Sequence, residues 1–216
     1  MTTTFQEHEE RKAKSFKMML WFAMISMAMV FAGLTSAYVV SKSRPDWLTD
    51  FELPVAFIWS TIIVIISSLT FYLAQKSAKN AQPKTTTMYL YATLVLGVLF
   101  VLSQFQGFAQ VVQNGYFFTG SESNVTTSFL YIVVLVHLAH LFGGLIALLV
   151  IIYKNHLQKY TAQDYLGIEL GAMFWHFLDF LWVYLFLFLY LSFKLCNFKF
   201  NLRASINAFS LSFNFK

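Results

Sequence analysis

The sequence predicts an all-α membrane protein that folds as a bundle of five transmembrane helices, and three observations support this. Hydrophobic residues make up 58% of the 216 residues. Charged residues make up only 12%, about half of the roughly 25% that is usual in soluble domains. Five apolar runs, each long enough to cross a hydrocarbon layer about 30 Å thick, are separated by short polar segments.

The membrane domain is predicted to cover residues 18–195, between a polar N-terminal tail of residues 1–17 and a basic, aromatic C-terminal tail of residues 196–216. The first apolar run spans a full membrane thickness, which indicates a transmembrane helix and not a cleavable signal peptide. In the C-terminal tail phenylalanine alternates with polar residues, which fits a segment along the membrane interface and equally a disordered one. The predicted spans are residues 18–40, 53–75, 88–112, 128–153 and 168–193.

The positive charges predict the topology. Counted in order along the polar segments before each span, Lys and Arg number four, two, three, none and two. Because cytoplasmic segments carry the excess of positive charge, the N-terminus is predicted to be cytoplasmic and the C-terminus external. Four basic residues in and beside the C-terminal tail oppose this assignment. The basic residues lie between apolar runs and form no single basic face, so no nucleic-acid partner is predicted.

The fifth span carries polar groups that need an explanation. Glu169 and His176 are seven residues apart and therefore lie on nearly one line of a helix, with Asp179 about 60° from His176. Trp175 and Trp182 lie beside this stripe. Because a charged group at the bilayer centre costs roughly 2.5–3.5 kcal/mol, the stripe is predicted to face protein, with Glu169 and His176 as a buried hydrogen-bonded pair.

Other spans contribute fewer polar side chains. The fourth holds His137 and His140, which share a helix face and are compatible with metal or haem ligation as well as with hydrogen bonds to a neighbouring helix. Two ligands do not close a metal site, so no metal is predicted. Gln104 in the third span is predicted to bond between helices. Three hydroxyls of the second span can bond to their own helix and are predicted to serve packing alone: Ser67, Ser68 and Thr70.

No motif of a self-contained catalyst appears in the sequence. There is no phosphate-binding loop, dinucleotide fingerprint, HExxH or cysteine cluster, and the one cysteine, Cys196, can form no internal disulfide. A transporter with broken helices is disfavoured because all three prolines lie in loops or at a helix start. The residues therefore predict an integral membrane subunit with no catalytic side chain, whose polar stripe meets its own bundle, a lipid head group or a partner.

The fifth span resembles the last helix of subunit III of the haem-copper respiratory oxidases. That helix carries a Glu, a seven-residue step and then W-H-F-x-D-x-x-W, which here are Glu169 and residues 175–182. The fourth span is similar to the family's H-x-x-H followed by glycine, through His137, His140 and Gly144. Further similarities lie in the third and first spans: Gln104, Trp21, Ser26, Gly33, Ala37 and Tyr38. The resemblance covers residues 18–192 and fits the short, five-helix bacterial form.

Two carboxylates of the family pattern are replaced. Met27 stands where the family usually has a buried Glu in the first helix, and Gly107 stands where it has Glu in the third. Proton-antenna chemistry attributed to the first position therefore does not carry over. What remains is a structural or lipid-binding seam.

The resemblance implies a non-catalytic subunit III of a proton-pumping terminal oxidase that reduces oxygen to water in aerobic respiration. Such a subunit braces subunit I, holds phospholipids and preserves proton uptake during turnover. Haem and copper are expected in subunit I and none in this chain, while subunits II and IV complete the complex, a cytochrome c or quinol oxidase of the bacterial inner membrane. The alternatives are an equivalent subunit of a nitric oxide reductase and a free-standing small membrane transporter.

Overall fold

The computed structural model contains the full chain. It describes the backbone except at residues 1, 45–46, 49–52, 81, 119–123, 159, 161–164 and 215–216, and the side chains of residues 2–7, 9 and 195–214 are also outside the description. The elements are five α-helices: α1 (Thr2–Ser41), α2 (Val55–Lys79), α3 (Pro83–Gln113), α4 (Val125–His156) and α5 (Leu166–Asn214).

Each helix contains a stretch long and apolar enough to cross a membrane. The prediction of an all-α bundle of five membrane-spanning helices is therefore confirmed, and the chain is a multi-pass membrane protein. The orientation of its termini stays a prediction.

Local sequence explains several helix ends. Proline lacks the N–H that the first turn of a helix leaves unpaired, and its fixed φ suits that turn. Accordingly α2 starts directly after Pro54, and α3 starts at Pro83, ahead of the predicted boundary at residue 88. Lys76 and Lys79 lie in the last turn of α2, where positive charge interacts favourably with the helix dipole.

The tails continue the terminal helices. Helix α1 begins at Thr2, within the predicted N-terminal tail. Helix α5 runs on to Asn214, so residues 196–214 of the C-terminal tail are helical. The alternation of phenylalanine with polar residues in that tail falls on side chains outside the described part of the chain.

Helices α2, α3, α4 and α5 pack as a ring, and α1 packs against one side of it. Contacts join α2 to α3, α3 to α4, α4 to α5 and α5 back to α2. Helix α1 packs against α4 and α5 and, among the described residues, against no other helix. Helix α5 thus touches three neighbours, which places its polar side chains where helices meet.

Aromatic rings fill the centre of the bundle. The ring of Trp182 on α5 lies 5.1 Å from Phe100 of α3, 5.2 Å from His137 of α4 and 6.1 Å from Phe57 of α2, measured between centroids. Phe31 of α1 lies 6.3 Å from His137. All five helices therefore meet around Trp182 and His137.

Candidate functional site

Two tryptophans of α5 donate hydrogen bonds to hydroxyls of α2. The Nε1–H of Trp175 donates to the Ser67 hydroxyl over 3.0 Å, and the Nε1–H of Trp182 donates to the Thr61 hydroxyl over 3.1 Å. Both indole rings are buried. Buried indole N–H groups need an acceptor, because no water is present in the hydrocarbon layer to accept the hydrogen bond of an unpaired donor. These bonds satisfy the donors and fix α5 against α2.

A third bond of the same kind lies between the tryptophans. Nδ1 of His176 is 2.7 Å from the hydroxyl oxygen of Ser68. As α5 advances from Trp175 to Trp182, its partners on α2 step back from Ser67 to Thr61, so the two helices are antiparallel. We call these three bonds the α2–α5 polar register.

Asp179 lies beside this register, next to Ser68. Its side chain is buried, with 4% of the residue exposed. The Ser68 hydroxyl is a near polar neighbour, but neither carboxyl oxygen has a partner within hydrogen-bonding geometry among the described residues. Asp179 is therefore a buried acidic group of the predicted stripe whose polar neighbour on α2 is Ser68.

Glu169 has a different partner from the one predicted. Its Oε1 accepts a hydrogen bond over 2.8 Å from Nζ of Lys17 on α1, and the two form an ion pair. The predicted bond between Glu169 and His176 is wrong. Seven residues of helix rise by about 10 Å, which is too far for the two side chains to meet, and each lies closer to a neighbouring helix.

Helix α1 runs parallel to α5. The Lys17 bond joins it to the first turn of α5, and the hydroxyls of Thr35 and Tyr184 lie 3.3 Å apart further along both helices. Helix α1 is thus attached at two levels to the helix that carries the polar stripe.

The two histidines of α4 have unlike surroundings. Nδ1 of His140 lies 2.7 Å from the carbonyl oxygen of Val136 in its own helix, so the ring N–H donates there. His137 is buried among aromatic rings, and neither ring nitrogen has a hydrogen-bond partner among the described residues. Among all the residues that the structure describes, no group of three or more His, Cys, Asp or Glu side chains is arranged to hold a metal ion.

Gln104 is fully buried on α3, four residues after Phe100. The hydrogen bond between helices that the sequence predicts for it is not formed, because neither amide atom has a partner among the described residues. Its neighbour Ser103 instead donates to the carbonyl oxygen of Ala56 over 3.1 Å. The contact between α3 and α2 therefore uses the hydroxyl and not the amide.

The two positions where the family pattern has carboxylates lie inside the bundle. Met27 is partly buried and packs against the apolar core. Gly107 is buried, and a Cβ added there would lie 3.0 Å from Cζ of Phe57. The Phe57 ring therefore occupies the space that a side chain at residue 107 would need.

An open groove of about 490 Å³ lies between α2 and α5 on the outer surface of the bundle. Ser68, His176 and Asp179 are its polar lining, and the other lining side chains are apolar except for the phenol of Tyr72. The groove is the place where the polar stripe reaches the surface.

The partners of the polar stripe on α2 were not predicted. Ser67 and Ser68 were expected to serve packing within their own helix, which is wrong because both bond to α5. For Thr70 the predicted bond exists, from its hydroxyl to the Ser67 carbonyl over 2.8 Å. A usable signal was present, since the hydroxyls of Thr61, Ser67 and Ser68 extend over about two turns of α2, the length that separates Trp175 from Trp182 on α5.

Comparison with known proteins gives consistent similarities. A family model described as cytochrome c oxidase subunit III matches residues 1–193. The chain is 30% identical to a cytochrome bo(3) ubiquinol oxidase subunit 3 of Buchnera aphidicola subsp. Schizaphis graminum, over 80% of this chain and 92% of that protein. It is 29% identical to the protein of that name from Pseudomonas aeruginosa, over 79% and 82% of the two chains. A cytochrome c oxidase subunit 3 of Bacillus sp. strain PS3 is 28% identical, over 87% and 93%.

Proposed function

The chain belongs to the cytochrome c oxidase subunit III family, and we propose that it braces the catalytic subunit of a proton-pumping terminal oxidase without carrying a redox centre itself. Members of this family are subunits of haem-copper oxidase complexes, which are enzymes. In the proposal, subunit I holds haem and copper and reduces oxygen to water. This chain keeps subunit I in its active arrangement and binds phospholipids at their common surface.

The main support for the proposal is the set of hydrogen bonds that the family motif of α5 makes to α2. Trp175, His176 and Trp182 bond to hydroxyls of α2. Side chains committed to the contact between two helices stabilise a scaffold, and this supports a bracing role over a reaction carried out by the chain.

The histidines of α4 support the same assignment. A ligand to haem iron or copper must direct a free ring nitrogen at the metal, usually with the second nitrogen held by an outer partner. His137 is enclosed by the rings of Phe31, Phe100 and Trp182, and among the described residues no group of three or more His, Cys, Asp or Glu side chains could complete a metal site with His140. These residues do not fit a haem or copper site, which agrees with cofactors held by subunit I.

The surface of the bundle suits a membrane complex. Large apolar side chains are exposed on every helix, among them Met29 at 70%, Ile146 at 63% and Phe180 at 72%. Such surface is stable only against lipid or another membrane protein. We propose subunits I, II and IV and phospholipid as its partners, in a bacterial inner membrane with the N-terminus cytoplasmic.

The similarity favours the oxidase over the alternatives. The family model and the three relatives reported above are oxidase subunits, and none of these findings supports a nitric oxide reductase subunit or a transporter.

The test is purification of the complex through a tag on this chain. We expect a haem-containing subunit to co-purify with it and to consume oxygen. Removal of the chain with detergent should then make the complex lose its oxygen-reducing activity after fewer turnovers. The control is a complex that is exposed to the same detergent but keeps the chain. Recovery of the tagged chain without a haem-containing subunit, or loss of activity at the same rate with and without the chain, would contradict the proposal.

A matched pair of variants tests the bracing role in the intact complex. Trp182→Phe keeps an aromatic ring and removes the N–H that bonds Thr61, whereas Trp59 is exposed at 62%, so Trp59→Phe serves as control. We expect only Trp182→Phe to speed inactivation during turnover while the initial rate stays unchanged. Equal rates of inactivation for the two variants would show that the α2–α5 polar register does not protect the complex during turnover.

A further inference from the structure

An acid, a hydroxyl group and an imidazole are adjacent at mid-membrane depth. Ser68 lies near the middle of α2 (Val55–Lys79), and His176 and Asp179 lie near the middle of the apolar part of α5 (Leu166–Lys194). The Ser68 hydroxyl oxygen is 2.7 Å from Nδ1 of His176 and neighbours the carboxyl group of Asp179. All three residues line the groove between α2 and α5. Ser68 therefore lies between an acid and a base.

The chemistry of a hydroxyl group allows Ser68 to connect these two neighbours. A hydroxyl can donate one hydrogen bond and accept another at the same time, so Ser68 can donate to His176 while it accepts the proton of Asp179. In the described part of the chain neither carboxyl oxygen is yet at hydrogen-bonding geometry. The terminal torsion of an Asp side chain is broad, so rotation of the carboxyl group toward the adjacent hydroxyl can complete the chain of hydrogen bonds.

The surroundings favour a protonated carboxyl group. Asp179 is 4% exposed, and a charged side chain is costly in the hydrocarbon layer. Among the described residues that line the groove there is no Lys or Arg, and the titratable group besides the acid and the imidazole is the phenol of Tyr72. Lys17 of α1 is paired with Glu169, ten residues before Asp179. A neutral acid beside a neutral imidazole places no charge at this depth.

We propose that Asp179, Ser68 and His176 form a proton-binding site, which holds one transferable proton between a carboxyl group and an imidazole ring. At rest Asp179 donates to the Ser68 oxygen, Ser68 donates to Nδ1, and the ring carries its own proton on Nε2. In the transfer the O–H bond of Asp179 breaks as one forms on Ser68, and the original Ser68 O–H bond breaks as an N–H bond forms at Nδ1. The products are a carboxylate and an imidazolium, so the total charge is unchanged.

This inference goes beyond the proposed function and does not depend on it, because all three residues belong to this chain. The two measurements below can be made whether or not a haem-containing subunit accompanies the chain. A failure of the proposed function would therefore leave the proton-binding site open to its own test.

Nitrogen NMR of the purified protein in membranes, labelled with ¹⁵N-histidine, tests the position of the ring proton. The signals that His176→Phe removes belong to His176, and we expect an unprotonated Nδ1 and a protonated Nε2. The internal control is His140, whose Nδ1–H donates to the Val136 carbonyl, so it should show a protonated Nδ1. A protonated Nδ1 on His176 in the resting protein would overturn the proposal.

Infrared spectroscopy of the same preparation tests the carboxyl group and its connection to Ser68. The C=O band of a protonated acid that Asp179→Asn removes belongs to Asp179. We expect Ser68→Ala to shift this band to higher frequency, because the acceptor of the acid's hydrogen bond is lost. Ser60→Ala should leave the band in place, since Ser60 is buried on the same helix and its hydroxyl donates to the Phe57 carbonyl over 2.9 Å. The absence of an Asp179 band, or an unchanged band in Ser68→Ala, would overturn the proposal.

Discussion

Replacement of Gly107 by alanine should destabilise the bundle, because the new methyl group would meet the ring of Phe57. The added Cβ would lie 3.0 Å from Cζ, 3.2 Å from Cε2 and 3.4 Å from Cε1 of that ring. Carbon atoms in favourable contact are about 3.5–4.0 Å apart, so ring or helix must move. Phe57 is 2% exposed and packs against Phe108 and Trp182, which limits the movement of its ring.

Two opposing terms set the size of the effect. Overpacking in a well-packed core costs about 1–3 kcal/mol, while alanine gains about 1 kcal/mol over glycine in a helix. Because the Phe57 ring is confined, we expect Gly107→Ala to be less stable than the wild type by about 1–2 kcal/mol. Gly107→Glu, which restores the residue of the family pattern, should be worse because a buried charged group adds on the order of 2.5–3.5 kcal/mol.

The matched control is Gly143→Ala. A Cβ added at Gly143 would meet nothing within 4 Å, so this variant should be as stable as the wild type or slightly more stable. The measurement is the midpoint of thermal unfolding of the purified complex in detergent, followed by the loss of this chain from it. For a chain of this length 1 kcal/mol corresponds to about 2–4 °C.

A double-mutant cycle tests whether Phe57 is the cause. Phe57→Leu shortens the side chain that a residue at position 107 would meet, so Gly107→Ala should cost less in that background. We expect a favourable coupling of about 1 kcal/mol, within the range for residues in contact. Equal midpoints for the two alanine variants, together with zero coupling, would show that packing does not explain the absence of a carboxylate at residue 107.

Three further predictions follow from single contacts. Lys17→Glu should weaken the attachment of α1, and Glu169→Lys in the same chain should restore it. Because the two side chains are 37% and 28% exposed, the loss of stability should be at most about 1 kcal/mol. The loss should be smaller with added salt, which thermal unfolding at two ionic strengths measures. Thr61→Val should cost about 1–3 kcal/mol, since it leaves the Trp182 donor unpaired, whereas Thr61→Ser should not; a shift of tryptophan fluorescence in both variants alike would refute this. His137→Phe should retain the fold and the full haem content of the complex, because its ring nitrogens bond to no described group; loss of haem in the optical spectrum would identify His137 as a ligand instead.

The sequence predicted the five helices because membrane insertion imposes a simple requirement. Every backbone group in the hydrocarbon layer must be paired, which forces each apolar run into a helix. Run length therefore sets the number of spans, and Pro54 and Pro83 mark two of the helix starts. Helix length beyond the membrane depends on other interactions, and the extension of α5 to Asn214 was not predicted.

The partners of the polar stripe were less predictable. Helical geometry correctly separates the residues that share a face, but it does not say which neighbouring helix that face meets. Glu169 was assigned to His176 because they share a line on one helix, while the structure pairs each with another helix, through Lys17 and Ser68. Side chains on one face of a helix point away from its axis. When two turns separate two such side chains, each is closer to a neighbouring helix than to the other side chain.

The similar spacing on both helices, seven residues between Trp175 and Trp182 and six between their acceptors Ser67 and Thr61, explains why the family motif has its length. Two turns of α5 carry Trp175 and Trp182, and two antiparallel turns of α2 carry their acceptors, so a shift of either helix by one turn would leave buried N–H groups unpaired. The motif therefore specifies how α2 and α5 align. Within it, the same alignment buries the carboxyl group of Asp179 beside Ser68, at the groove between α2 and α5.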